Sequence, residues 1–524
     1  MNILFANYGD FTSNSLNHIA AFADQLTRTG HACVVAVPEN PETISVIREP
    51  LFTPVTFDRA LEPEPLFPDR GPADVVHAWT PRENVREFTL AYLRKHPGAA
   101  LVIHLEDNEA LLLERFAAEP LEVLRQLSDE ELAARLSPRL AHPVRFKNFL
   151  RVAHAVTYIT DRLCEFIPDG KPSHRLLPGI DFKLHPILPS DPTLRSVIGV
   201  GSQEKIIVFT GGTTFANLAD IRSLLLAVRL INERGTPCKL VRTGINPPQF
   251  ARELEAIGSG YVIELGFVEK DRLPALLALA DVLVQPGAPN RFNDYRLPSK
   301  IPEFLCAGRP VVVPRANIAL EMEDGLHALL LETGQADEIV DRCLRIFHDE
   351  ALARRLSEGG PEFAHTHFDL TRNTAQLASF YQRVTASARP IFSDPGMPPS
   401  EDVLLAEGDV ALRMRAKEQT IIHSRRTIAT LEAAVRAAQA DTEAERDRTS
   451  ELRAAAAKLA EDRETMIRAS IERLYKDSKL QNERHKVEIL RAQLGEAVAS
   501  LATVTRHLDD TKSRAESLAA ELRQ

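Results

Sequence analysis

The stretch Asp294-Tyr295-Arg296-Leu297-Pro298-Ser299-Lys300-Ile301-Pro302-Glu303-Phe304-Leu305-Cys306-Ala307-Gly308-Arg309-Pro310-Val311-Val312-Val313 decides the fold. It reads as polar loop, helix, glycine stop and buried strand. Ser299 supplies an N-cap side chain, and Pro302 is tolerated in a first turn whose amides lack intrahelical partners. Gly308 suits the C′ position, and Pro310 prevents continuation. Val311 to Val313 are apolar on every residue, as in a parallel strand covered on both faces. A helix N-terminus bearing Arg296 and Lys300 therefore sits beside a parallel sheet, with the carboxylate of Glu303 one turn in. Backbone amides and two cations can hold a phosphate there, and a carboxylate close by can accept from ribose hydroxyls. An ordinary amphipathic helix with a solvated charged end fits the same spacing, which alone does not separate the two.

Around this stretch an α/β series begins at Lys205. Ile206 to Thr210 is a strand followed by Gly211-Gly212-Thr213-Thr214. A helix from about Asp220 to Arg234 ends at Gly235. Lys239 to Thr243, Tyr261 to Leu265 and Val282 to Gln285 are further strands, the first carrying Arg242, and residues 336–386 are helical. Residues 1–185 alternate in the same way, the mark of βαβ units. Strands are expected at Asn2 to Ala6, Cys33 to Val37, Asp74 to Ala78, Ala99 to His104 and Ala155 to Ile159. Ligands of open α/β sheets gather at the carboxyl ends of strands. That points to the loop from Gly9 through Asp10 to Ser15, and to His77, Arg82, Glu83, His104, Glu106 and Asp107. Residues 109–150 are helical. The basic, aromatic segment His142 to Arg151 suits a packed helix with solvated cations better than one resting on an anionic membrane.

Pro-rich residues 387–402 read as a linker. Beyond them Leu480, Val487, Leu494, Leu501, Leu508, Ala515 and Leu522 recur every seven residues, interleaved with Leu490, Ala497, Val504, Thr511 and Leu518. That a/d pattern is a coiled-coil signal for 403–524, with a phase break near Leu474 to Leu480. A solvated single helix or a helical hairpin is the other reading.

The 524 residues exceed one core, so two or three domains are expected. A net charge of −10 argues against a nucleic-acid binder. The five cysteines form no CxxC pair, which fits a reducing compartment without disulfides or a zinc site. The N-terminus lacks a basic n-region, and no run of 18 apolar residues exists, so a cytoplasmic chain is expected. No P-loop, GxGxxG, GxSxG elbow or catalytic metal spacing appears. What remains is an anion site on the second half and His and carboxylate groups on the first. That suits group transfer from a nucleotide diphosphate, with leaving-group charge stabilised by Arg, Lys and helix amides and no metal or other cofactor.

Several segments, in order over residues 1–386, resemble glycosyltransferases of the GT-B fold, close to the retaining family 4. They are GDFTSNSLNHIAAFADQLTRTGHACVVAVP, DVVHAWTPRE, LVIHLEDNE, YITDRLCEFIP with LLPGID, IELGFVEKDRLPALLALADVLVQPG and PSKIPEFLCAGRPVV. The resemblance implies two Rossmann-like domains facing a cleft: an acceptor domain over 1–185 and a nucleotide-sugar donor domain with a return helix over 186–386. It puts His104 beside the transferred sugar and Glu303 on the donor ribose. Where the family has a second Glu, this chain has Tyr295, with Asp294 adjacent as the replacement. The family's diphosphate-gripping Arg and Lys after the first donor-domain strand are missing. Gly211, Gly212, Thr213, Arg242, Arg291, Arg296, Ser299 and Lys300 are the available substitutes. Gly9, Asp10, His77, Glu106 and Asp107 are assigned to the acceptor side, while His18, His31 and His154 read as structural.

The expected activity is sugar transfer from a nucleotide diphosphate sugar to a glycan or lipid-linked acceptor in polysaccharide or glycoconjugate biosynthesis. It implies a homo-oligomer formed through the coiled coil, with peripheral contact at the inner membrane face compatible with the basic helix. The alternative is a degenerate GT-B module serving as a coiled-coil assembly platform.

Overall fold

Apolar runs long enough to be covered on both faces fix two parallel sheets. In a computed structural model of the protein, the first sheet has seven strands in the order β3-β2-β1-β4-β5-β6-β7, all parallel. They are β1 Asn2–Asn7, β2 Ala32–Val37, β3 Thr53–Thr56, β4 Val75–Trp79, β5 Ala100–Leu105, β6 Ala155–Tyr158 and β7 Ser173–Arg175. Every residue of β1, β4 and β5 is buried, as a sheet layered between helices requires. The second sheet runs β10-β9-β8-β11-β12-β13, again all parallel. Its strands are β8 Lys205–Phe209, β9 Cys238–Arg242, β10 Val262–Glu264, β11 Val282–Val284, β12 Val311–Pro314 and β13 Leu329–Leu331. In each sheet the order reverses beside the first strand, and ligand crevices form at such switch points.

The described residues are 1–392, apart from 48, 215–216, 245, 248–249, 252–255 and 258–259, together with Lys458. The expected linker from 393 onward and the expected coiled coil lie outside them, Lys458 excepted. The described residues up to 392 fall in one compact unit.

The chain crosses between the sheets twice. Ile180 pairs with Asp369 at the crossing, with Ile180 N–H donating to the Phe368 carbonyl at 2.6 Å. The last described helix, Leu370–Ser387, then packs on the first domain, where Leu377, Phe380, Tyr381 and Val384 join the cluster of Phe5, Phe22 and Trp79. Beyond it, His154 Nε2 meets the Arg389 carbonyl at 2.7 Å, and Arg94 stacks over Phe392.

One local expectation is corrected, at Ser299, and one is met, the packed helix over Arg145–Val152. Ser299 occupies the N-cap position of the helix Lys300–Cys306, but its backbone is already helical and its hydroxyl caps nothing. In the helix Arg145–Val152 the aromatic face is buried through Phe146 and Phe149. Arg145 bonds inward to Glu83 at 3.0 Å and to Asp129, so this helix offers no apolar face to a membrane. No helix among the described residues is long and apolar enough to cross one.

Candidate active site

The carboxyl ends of the two sheets meet. On the first, β5 delivers His104 and the loop after it delivers Glu106 and Asp107. Glu106 accepts from His18 Nδ1 at 3.0 Å and from the Ser15 hydroxyl, both on the helix Asn14–Arg28. Burial opposes ionisation of Glu106, but the His18 and Ser15 bonds outweigh it and hold the carboxyl down to about 2. His18, which looked structural, is thus part of this edge. The Gly9 carbonyl accepts from Asn7 Nδ2 at 2.8 Å, and the same amide bonds Ser13, so the loop is tied to β1. Asp10 is spent inside its own loop, on the Thr12 amide and hydroxyl.

Next to Glu106 lies a buried cluster. Arg82 Nε faces both oxygens of Glu109 at 3.2 and 3.3 Å, its Nη2 reaches Asp107 at 3.4 Å, and its guanidinium lies 3.8 Å over the Tyr8 ring. Burial pushes Glu109 up to about 7, although Arg82 pulls the other way. Asp107 is raised by burial too, against the pull of Arg82 and of Arg296 from the second domain.

His104 is buried, and burial holds its imidazole down to about 3, so the ring is neutral at physiological pH. Its Nδ1 lies 2.9 Å from Thr157 Oγ1, and its buried Nε2 has no partner among the described residues. A buried polar nitrogen left unpaired is costly, and a substrate oxygen would satisfy it. His77 is a correction. In register Trp79 faces His104, so His77 lies deeper in the sheet. It is fully buried, its two nitrogens taken by Tyr381 Oη at 2.6 Å and Thr157 Oγ1 at 2.9 Å. It cannot touch an acceptor.

On the second sheet, the helix Lys300–Cys306 presents Lys300 and Glu303. The Lys300 amine packs against Gly211, where φ is +119° and an added Cβ would lie 3.2 Å from Nζ. It also lies 5.1 Å from the Phe209 ring centre. Burial, then repulsion from Arg296, pushes Lys300 down to about 8 despite the pull of Glu303. Burial raises Glu303 against the pull of Lys270, Lys300 and His18, so His18 stands between carboxylates of both domains. Lys270 donates to Asn17, one residue before His18, which closes the edges over Glu303.

Arg296 has a buried Nε without a partner among the described residues and lies 4.3 Å from the Phe292 ring centre, while Arg115 of the first domain lies 4.8 Å from that centre. Asp107 and Asp220 are the acids that favour its charge. Neither Lys270, Arg115 nor Asp220 carries a motif; only their convergence in the fold reveals them.

Three donor-side expectations change. Arg242 is fully buried, opposes Glu264 in register, and bonds Glu264 at 2.9 Å, Thr213 at 3.0 Å and Asn246 at 3.2 Å. It braces the loop and is closed to a diphosphate. Thr213 is bound into the same network. The Gly211 amide donates to Thr243, and Gly212 packs so tightly on Gly244 that a Cβ there would come within 2.3 Å of its nitrogen. Asp294 is drawn to Arg162 of the first domain, and it is not a charge partner of Lys300, Glu303 or Arg296. Tyr295 docks on the first domain, its hydroxyl 2.6 Å from Glu165 and its carbonyl accepting from Thr160.

Residues 204–349 match the family Glycosyl transferases group 1. The described fold resembles Anabaena HepE, solved in complex with UDP and glucose, at a TM-score of 0.55 and 17% identity over 73% of this chain and 100% of that one. It also resembles the sucrose-phosphate synthase of Thermosynechococcus elongatus, at a TM-score of 0.55 and 15% identity over 74% and 100%. A glycosyltransferase from Rickettsia africae gives a TM-score of 0.54 and 12% identity over 74% and 99%. The fold is GT-B. No curated protein matches this chain. The group 1 match lies on the half that carries Lys300 and Glu303. Among the described residues no group of three or more His, Cys, Asp or Glu side chains is placed to hold a metal ion. A cavity of about 300 Å³ lies elsewhere, at the domain crossing between His174, Arg175, His367 and Arg372.

Proposed function

We propose that the chain transfers a sugar from a nucleotide diphosphate sugar, held on the second domain, to an acceptor hydroxyl held on the first. One juxtaposition carries this reading. A neutral, buried His104 with an unpaired nitrogen ends one sheet, and a cationic group of Lys300 and Arg296 beside Glu303 ends the other. The anomeric C–O bond to the diphosphate breaks as the bond to the acceptor oxygen forms, and the proton of the acceptor hydroxyl passes to the oxygen of the departing diphosphate. Lys300 and Arg296 offset the charge that develops on the departing diphosphate, which makes metal unnecessary. Glu303 accepts from the ribose hydroxyls. Glu106 and Asp107 face the acceptor, a glycan or lipid-linked saccharide of polysaccharide or glycoconjugate synthesis. Retention follows the family 4 resemblance. The working place is the cytoplasm, at the inner face of the membrane where the acceptor is lipid-linked.

The test is turnover of UDP-, GDP- and ADP-sugars by the full chain, with product analysis. Release of the nucleoside diphosphate with transfer or hydrolysis of the sugar is expected. No turnover and no nucleotide binding would leave the second reading, a degenerate module on a coiled-coil assembly. That reading is favoured by Arg242 being consumed by Glu264 and by Tyr295 standing where a carboxylate is expected. The heptads of 480–522 are read as assembling copies of the chain, so removing residues 400–524 lowers the number of copies per particle in light scattering; an unchanged number of copies refutes this.

A further inference from the structure

A line of buried polar atoms joins the last described helix to the sugar side of the cleft. Tyr381 Oη lies 2.6 Å from His77 Nδ1, His77 Nε2 lies 2.9 Å from Thr157 Oγ1, and Thr157 Oγ1 lies 2.9 Å from His104 Nδ1. Tyr381, His77 and Thr157 are fully enclosed. The line ends at His104 Nε2, buried and unpartnered. Each group has a fixed stock of protons, so the line can be solved.

Tyr381 carries one hydroxyl proton, and His77 Nδ1 is the acceptor beside it. Were the phenol instead to accept from His77, its own proton would be stranded in the core, at the cost of an unsatisfied donor. His77 Nδ1 therefore accepts. The ring is neutral, because burial keeps it well below its ordinary value, so its single proton sits on Nε2 and is donated to Thr157. Thr157 Oγ1 then gives its only proton to His104 Nδ1. His104, neutral as well, is left with its proton on Nε2.

We infer that Tyr381, acting through His77 and Thr157, fixes His104 as the Nε2–H tautomer, so that the imidazole presents a hydrogen-bond donor to an oxygen of the bound substrate. Tyr381, His77 and Thr157 are positioning residues. A wrong tautomer in an intact site is known to be expensive for catalysis. The substrate part of this inference rests on the glycosyltransferase reading; the tautomer itself does not.

The experiment uses the full chain labelled with ¹⁵N-histidine, the His104 ring signals being assigned by their loss in His104→Gln. Long-range ¹H–¹⁵N correlation distinguishes a protonated from an unprotonated ring nitrogen. Wild-type protein is expected to show a protonated Nε2 and an unprotonated Nδ1 on His104. Tyr381→Phe removes the phenol that orders the line, and Thr157→Val cuts it; each is expected to shift His104 toward a mixture of tautomers. Thr157→Ser keeps the hydroxyl and restores the wild-type pattern. With a sugar donor that turns over, Tyr381→Phe and Thr157→Val lower kcat about tenfold or more while the donor KM stays within about twofold. A wild-type proton on Nδ1 overturns the inference. So does an unchanged Nε2–H in both Tyr381→Phe and Thr157→Val. Should no nucleotide sugar turn over, the nitrogen shifts still decide the relay, and the failure belongs to the functional reading alone.

Discussion

The two edges of the cleft are built in opposite ways. On the first domain the charges are satisfied from within: Arg82 serves Asp107 and Glu109, and Glu106 is held by His18 and Ser15. On the second, Lys300 lies against glycine and an aromatic ring, and Arg296 keeps an unpartnered Nε. A satisfied edge fixes geometry. An edge where buried cations lie close together, Arg296 lowering the proton affinity of Lys300 and Arg115 that of Arg296, is stabilised by an incoming anion. The difference is the one that the proposed roles require, acceptor positioning on the first domain and diphosphate binding on the second.

The comparison breaks first at Arg82. Arg82→Ala strands Glu109 and Asp107 without their cation and is expected to cost about 3–5 kcal/mol in denaturant unfolding. Glu109, raised in the folded state to about 7 from its ordinary 4.5, contributes stability that is full below the unfolded value and lost as pH rises through about 7. The Arg82→Ala loss is therefore larger at about pH 8 than at about pH 5. An equal loss at both would show that the cluster is not electrostatically closed.

The second edge is sharpened at Lys300. Lys300→Ala is expected to weaken nucleoside diphosphate binding about tenfold in calorimetry, the loss of one charge-assisted contact. Because Lys300 sits at about 8 in the free protein, wild-type affinity falls as pH rises past that value. Lys300→Arg stays charged and lacks this inflection. The smallest effect is expected at Tyr295, which ties the donor loop to the first domain. Tyr295→Phe loses one hydrogen bond to Glu165, worth about 1 kcal/mol in thermal or denaturant unfolding, with donor affinity unchanged.

Much of the scaffold was legible because parallel strands are written as apolar runs: Asn2 to Ala6, Ala99 to His104 and Val311 to Val313 all became strands. The strands that escaped notice are short or polar. Thr53–Thr56 includes a proline, Ser173–Arg175 is a polar edge, and Leu329–Leu331 has three residues. Positions were legible where a motif coincides with the end of an element, and the structure places His104 near the end of its strand and Lys300 and Glu303 in the first turn of their helix, at the edges expected of them. His77 misled because a strand-end histidine and one a pleat deeper look alike in sequence. Arg242 misled because its partner, Glu264, is set by strand register. Tyr381 could not be read at all, since 304 residues separate it from His77.

The division of labour is tested most directly by comparing His104→Ala with Glu303→Ala in the full chain, with kcat and donor Kd measured for whichever nucleotide sugar turns over. The account predicts that His104→Ala lowers kcat about a hundredfold with donor Kd within about twofold, as for loss of a donor that acts in the transition state. Glu303→Ala is predicted to weaken donor Kd about tenfold, through the lost ribose hydrogen bonds to a charged group. The reverse pattern, or full activity in both variants, would contradict it.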